Sequence, residues 1–172
     1  LTRLKKTRFR WVHEIIEKTD DDYVDKTHQE FIRVQNVKSE QQLTSEYHVS
    51  YKRFYVEDFH RPDDLDTDRF VSLAKNTPAN TWLYFHCRAG RGRTTTFMAM
   101  YDMMRNAKTV SFDDIIGRQL AIGGSDLRDL PNKNSFKYKY ATERLTFLKN
   151  FYKYSKENND DFSTTWLQWR NK

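Results

Sequence analysis

The chain has 172 residues, 37% of them hydrophobic, and 30 Lys and Arg against 24 Asp and Glu, which gives a formal net charge of +6. A mean hydropathy of −0.94 excludes a membrane-spanning segment, so we expect a soluble protein with one hydrophobic core. The single cysteine excludes an internal disulfide framework, and no Cys and His residues have the spacing of zinc ligands. The positive charge suits an anionic ligand of any kind.

The first part of the chain predicts a β unit followed by a short helix. Residues 8–16 alternate in the manner of a strand, residues 18–22 read as a turn, and residues 31–37 read as a second strand. Ser39 followed by Gln42 matches a capping box, which predicts the start of a helix. We therefore expect an N-terminal element that resembles a β-hairpin.

The middle of the chain predicts two strands, each followed by a helix. Residues 51–56 and 81–85 are short runs of bulky and aromatic side chains typical of strands, and residues 63–75 are typical of a helix. A further helix begins near Arg93, because apolar side chains recur at i, i+3, i+4 and i+7. These side chains are Phe97, Met100, Tyr101 and Met104.

The last third of the chain is helical by its pattern. Ser111 with Asp114 marks the start of a helix that ends at Gly123, and residues 136–156 form a long final helix. Strands that alternate with helices predict an α/β fold with a mainly parallel central sheet flanked by helices. The active site of such a fold lies at the carboxyl ends of the strands.

The segment His-Cys-Arg-Ala-Gly-Arg-Gly-Arg-Thr-Thr, residues 86–95, carries the chemistry. Cys87 lies between a predicted strand and a predicted helix, where unpaired backbone N–H groups and the helix dipole favour an oxyanion and a thiolate. Such settings lower a cysteine pKa to roughly 3.5–7.5, which makes Cys87 a nucleophile at neutral pH. A buried structural cysteine is the default for this residue type, but the surrounding glycines, arginine and helix favour the catalytic interpretation.

The rest of this segment suits a phosphate group. Gly90 and Gly92 let the backbone close around the ligand, and Arg93 can place its planar fork on two phosphate oxygens. The hydroxyl of Thr94 can donate to the sulfur as it leaves, and His86 is interpreted as a support that braces the loop by hydrogen bonding. The expected phosphate-binding residues of the loop are Arg88, Ala89, Gly90, Arg91 and Gly92.

These residues resemble the His-Cys-x-x-Gly-x-Gly-Arg-Thr signature of the protein tyrosine phosphatase superfamily, and most closely its cysteine phytase branch, the bacterial tyrosine-phosphatase-like inositol polyphosphate phosphatases. That branch has a Gly-Arg-Thr-Thr-x-Phe-Met-x-Met-x-Asp-Met run similar to residues 92–103, and an Arg-Gln-x-x-Ile-Gly-Gly run similar to residues 118–124. The resemblance implies one three-layer phosphatase domain, with a β-rich element at residues 1–38 and a catalytic core at residues 39–172. Because such enzymes are longer at the N-terminus, the chain is either a compact relative or the C-terminal part of a longer protein. We expect the second, because a sheet that lacks its first strands would leave an exposed edge.

The resemblance also implies a general acid on a loop upstream of the nucleophile. Asp58 is the candidate, 29 residues before Cys87 (87 − 58) and shortly before a proline. It would protonate the leaving alkoxide and later deprotonate water, although it could instead cap the next helix. The family commonly has a histidine after this acid, where the chain has Phe59, so His60 becomes the candidate substrate contact.

A polyphosphorylated inositol needs a broad basic rim, whereas phosphotyrosine needs a deep cleft with an aromatic clamp. The resemblance implies phosphate contacts from Lys137 and Arg144, because relatives carry lysines at similar positions, although each is also compatible with a solvated surface charge. Arg91 departs from the small or apolar residue usual at its position. Gln119 is similar to a glutamine that positions the hydrolytic water, and an exposed helix residue is an equal alternative. Further basic residues near the start of the last helix are Lys133 and Lys139.

The function implied is a metal-independent phosphomonoester hydrolase without a cofactor, which removes phosphates from inositol polyphosphates, phytate first, through a phosphocysteine intermediate. A phosphotyrosine, dual-specificity or phosphoinositide phosphatase with the same chemistry is an alternative. A non-catalytic phosphate or nucleic-acid binder is a second alternative, supported by the basic run at residues 3–10. The intact nucleophile, arginine and acid oppose it, so we expect no nucleic-acid partner. Relatives include exported bacterial enzymes, which leaves localisation open.

Overall fold

The computed structural model describes the backbone of residues 9–18 and 24–33 and all of residues 35–172. The chain divides into two compact units, Leu1–Arg53 and Phe54–Lys172. The turn expected at residues 18–22 lies outside the described residues except at its first position, and so does most of the basic run at residues 3–10.

The first unit contains an antiparallel pair of strands and one short helix. Strand β1, Phe9–Lys18, pairs with strand β2, Val24–Arg33, and the register becomes irregular near the end of β1. The second strand therefore begins seven residues earlier than the sequence pattern suggested (31 − 24). Helix α1, Glu40–Glu46, starts at the expected capping box, in which Ser39 and Gln42 exchange side-chain and backbone hydrogen bonds.

The second unit, Phe54–Lys172, is helical. Its helices are α2 Asp64–Lys75, α3 Gly92–Asn106, α4 Phe112–Ala121, α5 Lys137–Glu157 and α6 Trp166–Arg170. Helix α3 packs against α4 and α5, and α6 packs against α2 and α5. The starts of α2, α4 and α6 are capped by Asp63, Ser111 and Thr165, whose side chains accept hydrogen bonds from backbone N–H groups of the first turn. Among the described helices, none combines the length and apolar content needed to cross a bilayer.

The prediction of a mainly parallel central sheet is wrong. Within the residues that the structure describes, the strands are β1 and β2, and they are antiparallel. Residues 51–56 and 81–85, both expected to be strands, form none, and no backbone hydrogen bond joins them. A strand needs a neighbouring strand that hydrogen-bonds to its N–H and C=O groups. A run of bulky side chains favours an extended, half-buried conformation but does not supply that neighbour.

The core of the second unit lies between the helices and fixes the start of α3. Phe70, Met100 and Leu148, from α2, α3 and α5, are fully buried. The ring of Phe97 lies 5.0 Å from that of Phe70 and 5.2 Å from that of Phe54. Each such side chain contributes about 1.5–3 kcal/mol by its burial. The first turns of α3 are therefore anchored in the core, which holds the segment that follows Cys87 in place.

The last helix is fastened to α2 by hydrogen bonds as well as by packing. The indole Nε1 of Trp166 donates to Asp64 Oδ1 at 2.9 Å, and its backbone N–H donates to Asp68 Oδ1 at 2.6 Å. Asp64 also pairs with Arg61 at 3.0 Å and with Arg170. Arg61 lies three residues after Asp58 in the chain (61 − 58). The contacts that hold α6 therefore extend, through Asp64 and Arg61, to the residues near the expected acid.

Candidate active site

The segment from Cys87 to the first turn of α3 forms a bent loop. Gly90 has φ +67°, in the left-handed region, and a Cβ atom there would meet nothing within 4 Å. Glycine is therefore favoured at this position by the backbone conformation and not by a lack of space for a side chain. Arg91 precedes α3 and makes no side-chain capping hydrogen bond, so its side chain does not occupy the first amides of the helix.

The loop places several donors around the Cys87 sulfur. Partial burial of the thiol raises its pKa. Hydrogen bonds from the Thr94 hydroxyl and from the backbone N–H groups of Thr94, Ala89 and Gly90 lower the pKa by more than burial raises it. The resulting pKa of Cys87 is about 7. The Thr94 hydroxyl is buried without a hydrogen-bond partner of standard geometry, which leaves its proton directed at the sulfur. These donors therefore favour the thiolate form of Cys87 relative to an unperturbed cysteine.

The two threonines after Thr94 hold the loop by their hydroxyl groups. Thr95 Oγ1 donates to the carbonyl of Arg91 at 3.0 Å and accepts from the N–H of Ser125 at 3.1 Å. Thr96 Oγ1 donates to the carbonyl of Gly92 at 2.7 Å. The segment after α4 is thus hydrogen-bonded to the first turn of α3, next to the phosphate loop.

The structure brings Asp58 to the same loop. Asp58 Oδ1 lies 3.0 Å from Arg93 Nη2, and Arg93 Nη1 donates to the carbonyl of Val56 at 3.2 Å. The carboxylate is 62% exposed, which leaves it accessible to a substrate oxygen. The cap of α2 is Asp63 and not Asp58, so the alternative role of Asp58 as that cap does not hold.

The residues around Asp58, which we call the acid loop (residues 56–61), rest on the start of α5. The ring of Phe59 lies 5.5 Å from that of Phe136, and Lys137 Nζ lies 5.3 Å from the centre of the Phe59 ring. The ring of His60 lies 4.2 Å from that of Tyr140 at an angle of 50°, and its Nδ1 is 2.9 Å from the carbonyl oxygen of Asp58. Phe59 has φ +67°, a strained conformation for a bulky residue, which these contacts sustain.

Arg144 is half-buried and lies close to residues of both loops. Its Nη1 is 3.5 Å from the carbonyl oxygen of Phe59, and a Cβ atom on Gly92 would lie 2.8 Å from the same nitrogen. Burial lowers the pKa of Arg144, and its Nε is buried without a hydrogen-bond partner. This arginine therefore touches both the acid loop and the phosphate loop.

The other expected site residues differ in their placement. Gln119 is only 6% exposed, so it is not an exposed helix residue; its Nε2 donates to Asp102 at 3.1 Å and its Oε1 is buried without a partner. His86 is exposed and stacks on Tyr84 at 5.6 Å, and in the part of the chain that the structure describes it braces the loop by no hydrogen bond. Six further expected residues are exposed, namely Arg88, Ala89, Gly90, Arg91, Lys133 and Lys139.

Phe136 and Tyr140 belong to this site although the sequence analysis did not select them. They flank Lys137, and Tyr140 shares a helix face with Lys137 and Arg144, at i, i+3 and i+7. That spacing is visible in the sequence, and it could have identified a face that supports the acid loop.

Comparisons with known proteins identify the family of this chain. A family model named PTPlike_phytase, described by the words inositol hexakisphosphate, matches residues 2–105. The PTP-like myo-inositol phosphatase of Mitsuokella multacida, solved in complex with myo-inositol-(1,3,4,5)-tetrakisphosphate, is 37% identical with a TM-score of 0.87, over 99% of this chain and 28% of that chain. A PTP-like phytase from Bdellovibrio bacteriovorus is 38% identical with a TM-score of 0.77, over 82% of this chain and 55% of that chain.

A relative with a different description is the effector protein hopD2 of Pseudomonas syringae pv. tomato. It is 36% identical over 139 residues, which cover 80% of this chain and 30% of that protein. The chain thus spans less than a third of the effector and of the Mitsuokella phosphatase. The resemblance found in the sequence is confirmed: with a family match over residues 2–105 and the phosphate loop intact, this chain belongs to the PTP-like phytase family of cysteine-dependent phosphatases.

Proposed function

We propose that this chain carries the catalytic centre of a phosphatase that hydrolyses inositol polyphosphates through a phosphocysteine intermediate. The observation that supports this most is the 3.0 Å contact between Asp58 and Arg93, at a loop whose donors hold the Cys87 pKa at about 7. A nucleophile, an anion-binding guanidinium and an acid are thereby assembled on one loop pair, which is the set that phosphomonoester hydrolysis requires.

In the first step the Cys87 thiolate attacks phosphorus and the bond to the leaving oxygen breaks. Arg93 and the loop N–H groups bind the equatorial oxygens, where charge is held in the transition state. Protonated Asp58 transfers its proton to the leaving alkoxide, so an inositol hydroxyl departs as a neutral alcohol.

In the second step water attacks the phosphorus of the phosphocysteine and the P–S bond breaks. Asp58, now a carboxylate, takes a proton from the water, and inorganic phosphate forms. The Thr94 hydroxyl, which has no other partner of standard geometry, donates to the departing sulfur and stabilises the thiolate.

Arg93 must change partners during this cycle. Its two Nη atoms are used by the Asp58 carboxylate and the Val56 carbonyl. A phosphate dianion competes with the carboxylate for the same fork, because bidentate contact with phosphate is the stronger charge-assisted arrangement. Substrate binding therefore releases Asp58 from Arg93 and leaves its carboxyl group free to transfer a proton.

The inositol polyphosphate substrate is supported by the family and by the tetrakisphosphate complex of the Mitsuokella relative. A second candidate, a phosphotyrosine phosphatase, is favoured by a specific observation. Phe136 is 66% exposed and meets Phe59 edge to face at 5.5 Å, so an aromatic wall stands beside the acid. Such a wall suits an aryl phosphate.

The test is release of inorganic phosphate from myo-inositol hexakisphosphate in the presence of EDTA, for the wild type, Cys87→Ser and Asp58→Asn. We expect no turnover by Cys87→Ser and a strong reduction by Asp58→Asn. Asp129→Asn, which changes an exposed carboxylate with no ion pair among the described residues, is the matched control and should behave as the wild type. Turnover of a phosphotyrosine peptide without release from the hexakisphosphate would favour the second candidate.

A further inference from the structure

We propose that Arg144 is a positioning residue that holds the acid loop against the phosphate loop while Arg93 is occupied by the substrate phosphate. This inference rests on the proposed function, because it assumes that Asp58 is the general acid. It concerns a residue whose position in the sequence suggested a contact with substrate, and it assigns a different role.

The position of Arg144 between the two loops is the first argument. Its Nη1 lies 3.5 Å from the carbonyl oxygen of Phe59, a long hydrogen bond, and directly over the backbone of Gly92, where an added Cβ would come within 2.8 Å. Catalytic hydrogen bonds are often long before substrate binds and shorten in the complex. No other side chain on α5 touches both loops in the hydrogen-bond and glycine contacts of the described residues.

The charge of Arg144 is the second argument. Among residues 35–172 no carboxylate lies within ion-pair distance of its guanidinium, and its Nε is buried without a partner. A partly buried charge without a counter-ion is costly, and burial accordingly lowers the pKa of this arginine. Among the described residues, the Phe59 carbonyl is the one hydrogen-bond acceptor of the Arg144 guanidinium, so the guanidinium is drawn to the acid loop.

The behaviour of Arg93 is the third argument. Arg93 holds the acid loop at two points, Val56 and Asp58, and a bound phosphate would take over its fork. The loop then depends on its contacts with α5. Phe59 follows Asp58 directly in the chain, so a hydrogen bond to the Phe59 carbonyl fixes the peptide next to the acid and limits where the carboxyl group can go.

Lys137 differs from Arg144 in a way that makes the two separable. Lys137 Nζ lies over the rings of Phe59 and Phe136, at 5.3 and 5.7 Å from their centres. A role in binding a second substrate phosphate suits that position. Loss of Lys137 should raise KM for a polyphosphate, whereas loss of Arg144 should impair proton transfer.

The experiment measures dependence on the leaving group. Wild type, Arg144→Met and Arg144→Lys are compared on 4-nitrophenyl phosphate, whose leaving group needs little protonation, and on phenyl phosphate and 2-glycerophosphate, whose leaving groups need it. We expect Arg144→Met to lower kcat by about 10–100-fold on the two poorer leaving groups, as a misplaced catalytic group does, and by less than about 3-fold on 4-nitrophenyl phosphate. Arg144→Lys should recover part of the loss.

Three controls accompany the series. Lys149→Met changes an exposed side chain on the same helix and should match the wild type. Lys137→Met should raise KM for inositol hexakisphosphate and leave the leaving-group dependence unchanged. In an Asp58→Asn background Arg144→Met should add little further loss, because the two residues act on one step. The pH dependence of Cys87 alkylation shows for each variant that the phosphate loop is folded.

Two outcomes overturn the proposal. One is a raised KM for inositol hexakisphosphate with unchanged leaving-group dependence in Arg144→Met, which makes Arg144 a substrate contact. The other is an equal loss on all leaving groups that persists in the Asp58→Asn background, which makes the role of Arg144 merely structural.

If Arg144→Met does not fold, Arg144→Lys must show the selective loss on its own, and the absence of that loss in Arg144→Lys also overturns the proposal. A wild type active on the monophosphates but inactive on the hexakisphosphate refutes the proposed substrate and leaves this test intact.

Discussion

Arg93 joins the phosphate loop to the acid loop: its Nη2 lies 3.0 Å from the Asp58 carboxylate, and its Nη1 donates to the Val56 carbonyl at 3.2 Å. One guanidinium therefore contacts both the proposed proton donor and the proposed phosphate site. The proposed mechanism makes inorganic phosphate and the Asp58 carboxylate competitors for this guanidinium.

Replacing Thr94 should raise the pKa of Cys87. The Thr94 hydroxyl is the foremost of the groups that lower this pKa to about 7, so Thr94→Val should shift the midpoint of iodoacetamide alkylation to higher pH and reduce the thiolate fraction at neutral pH. Thr142→Val is the matched control, since the Thr142 hydroxyl donates only within α5, to Tyr138. An unchanged midpoint in Thr94→Val would show that the backbone amides alone set the thiolate.

Asp58→Asn should separate substrates by their leaving groups. Without a proton donor, kcat for an alkyl phosphate should fall by about 10²–10⁴-fold, whereas the loss for 4-nitrophenyl phosphate should be much smaller. The variant also frees Arg93 from its ion pair, so inorganic phosphate should inhibit it at least as tightly as the wild type. Weaker phosphate inhibition would contradict the competition described above.

Two glycines should respond to alanine in opposite directions. Gly117 lies inside α4 with nothing within 4 Å of a Cβ atom, so Gly117→Ala should raise the free energy of unfolding by about 0.5–1 kcal/mol. A Cβ on Gly124 would lie 2.6 Å from the backbone oxygen of Gln119 and 3.0 Å from Thr95, so Gly124→Ala should lower it by about 1–3 kcal/mol. Urea unfolding measures both, and equal effects would refute this account of the α4 end.

Asp64 should make stability fall in acid. Burial raises its pKa, but hydrogen bonds and charges from Trp166, Arg61 and Arg170 outweigh burial and hold the pKa below its usual value. Its contribution is therefore present above the unfolded-state pKa of about 3.9 and is lost as pH falls through the lower folded-state value.

The corresponding measurement is thermal unfolding of wild type and Asp64→Asn from pH 7 down to pH 2. The difference in Tm should be constant at the upper end and should shrink below about pH 4, where the wild-type carboxylate becomes protonated. A difference that stays the same across this range would mean that Asp64 acts through neutral hydrogen bonds only.

The helices could be predicted from the sequence because their signals are local. Residues 63–75 and 136–156 were expected to be helical, and the structure has Asp64–Lys75 and Lys137–Glu157. Capping residues act on backbone groups three positions away, so the information is contained in a few adjacent residues.

The absence of strands at residues 51–56 and 81–85 could not be predicted in this way. In residues 81–85 the aromatic run suggested a buried strand, but Trp82 and Tyr84 are 88% and 87% exposed, and Phe85 alone among the three aromatics packs on the core. Whether such a run pairs with a neighbour depends on segments distant in sequence, which its own residues do not encode.

The same distinction applies to the site. The residues from Cys87 to Arg93 are contiguous, so their assembly into one loop could be predicted from spacing. The residues packed near Asp58 are not contiguous: Arg144 contacts Phe59 and Tyr140 contacts His60, and only the folded chain brings these together.

Helix α5 has 21 residues, which is about 31 Å at 1.5 Å per residue. Its first turns carry the support of the acid loop, and its last turns carry Phe151 and Tyr154, whose rings lie 5.8 and 5.7 Å from that of Trp166. The helix thus connects the residues next to the proposed general acid with an aromatic cluster at its other end. A substitution that loosens this aromatic packing should reduce proton transfer by Asp58 before it unfolds the protein.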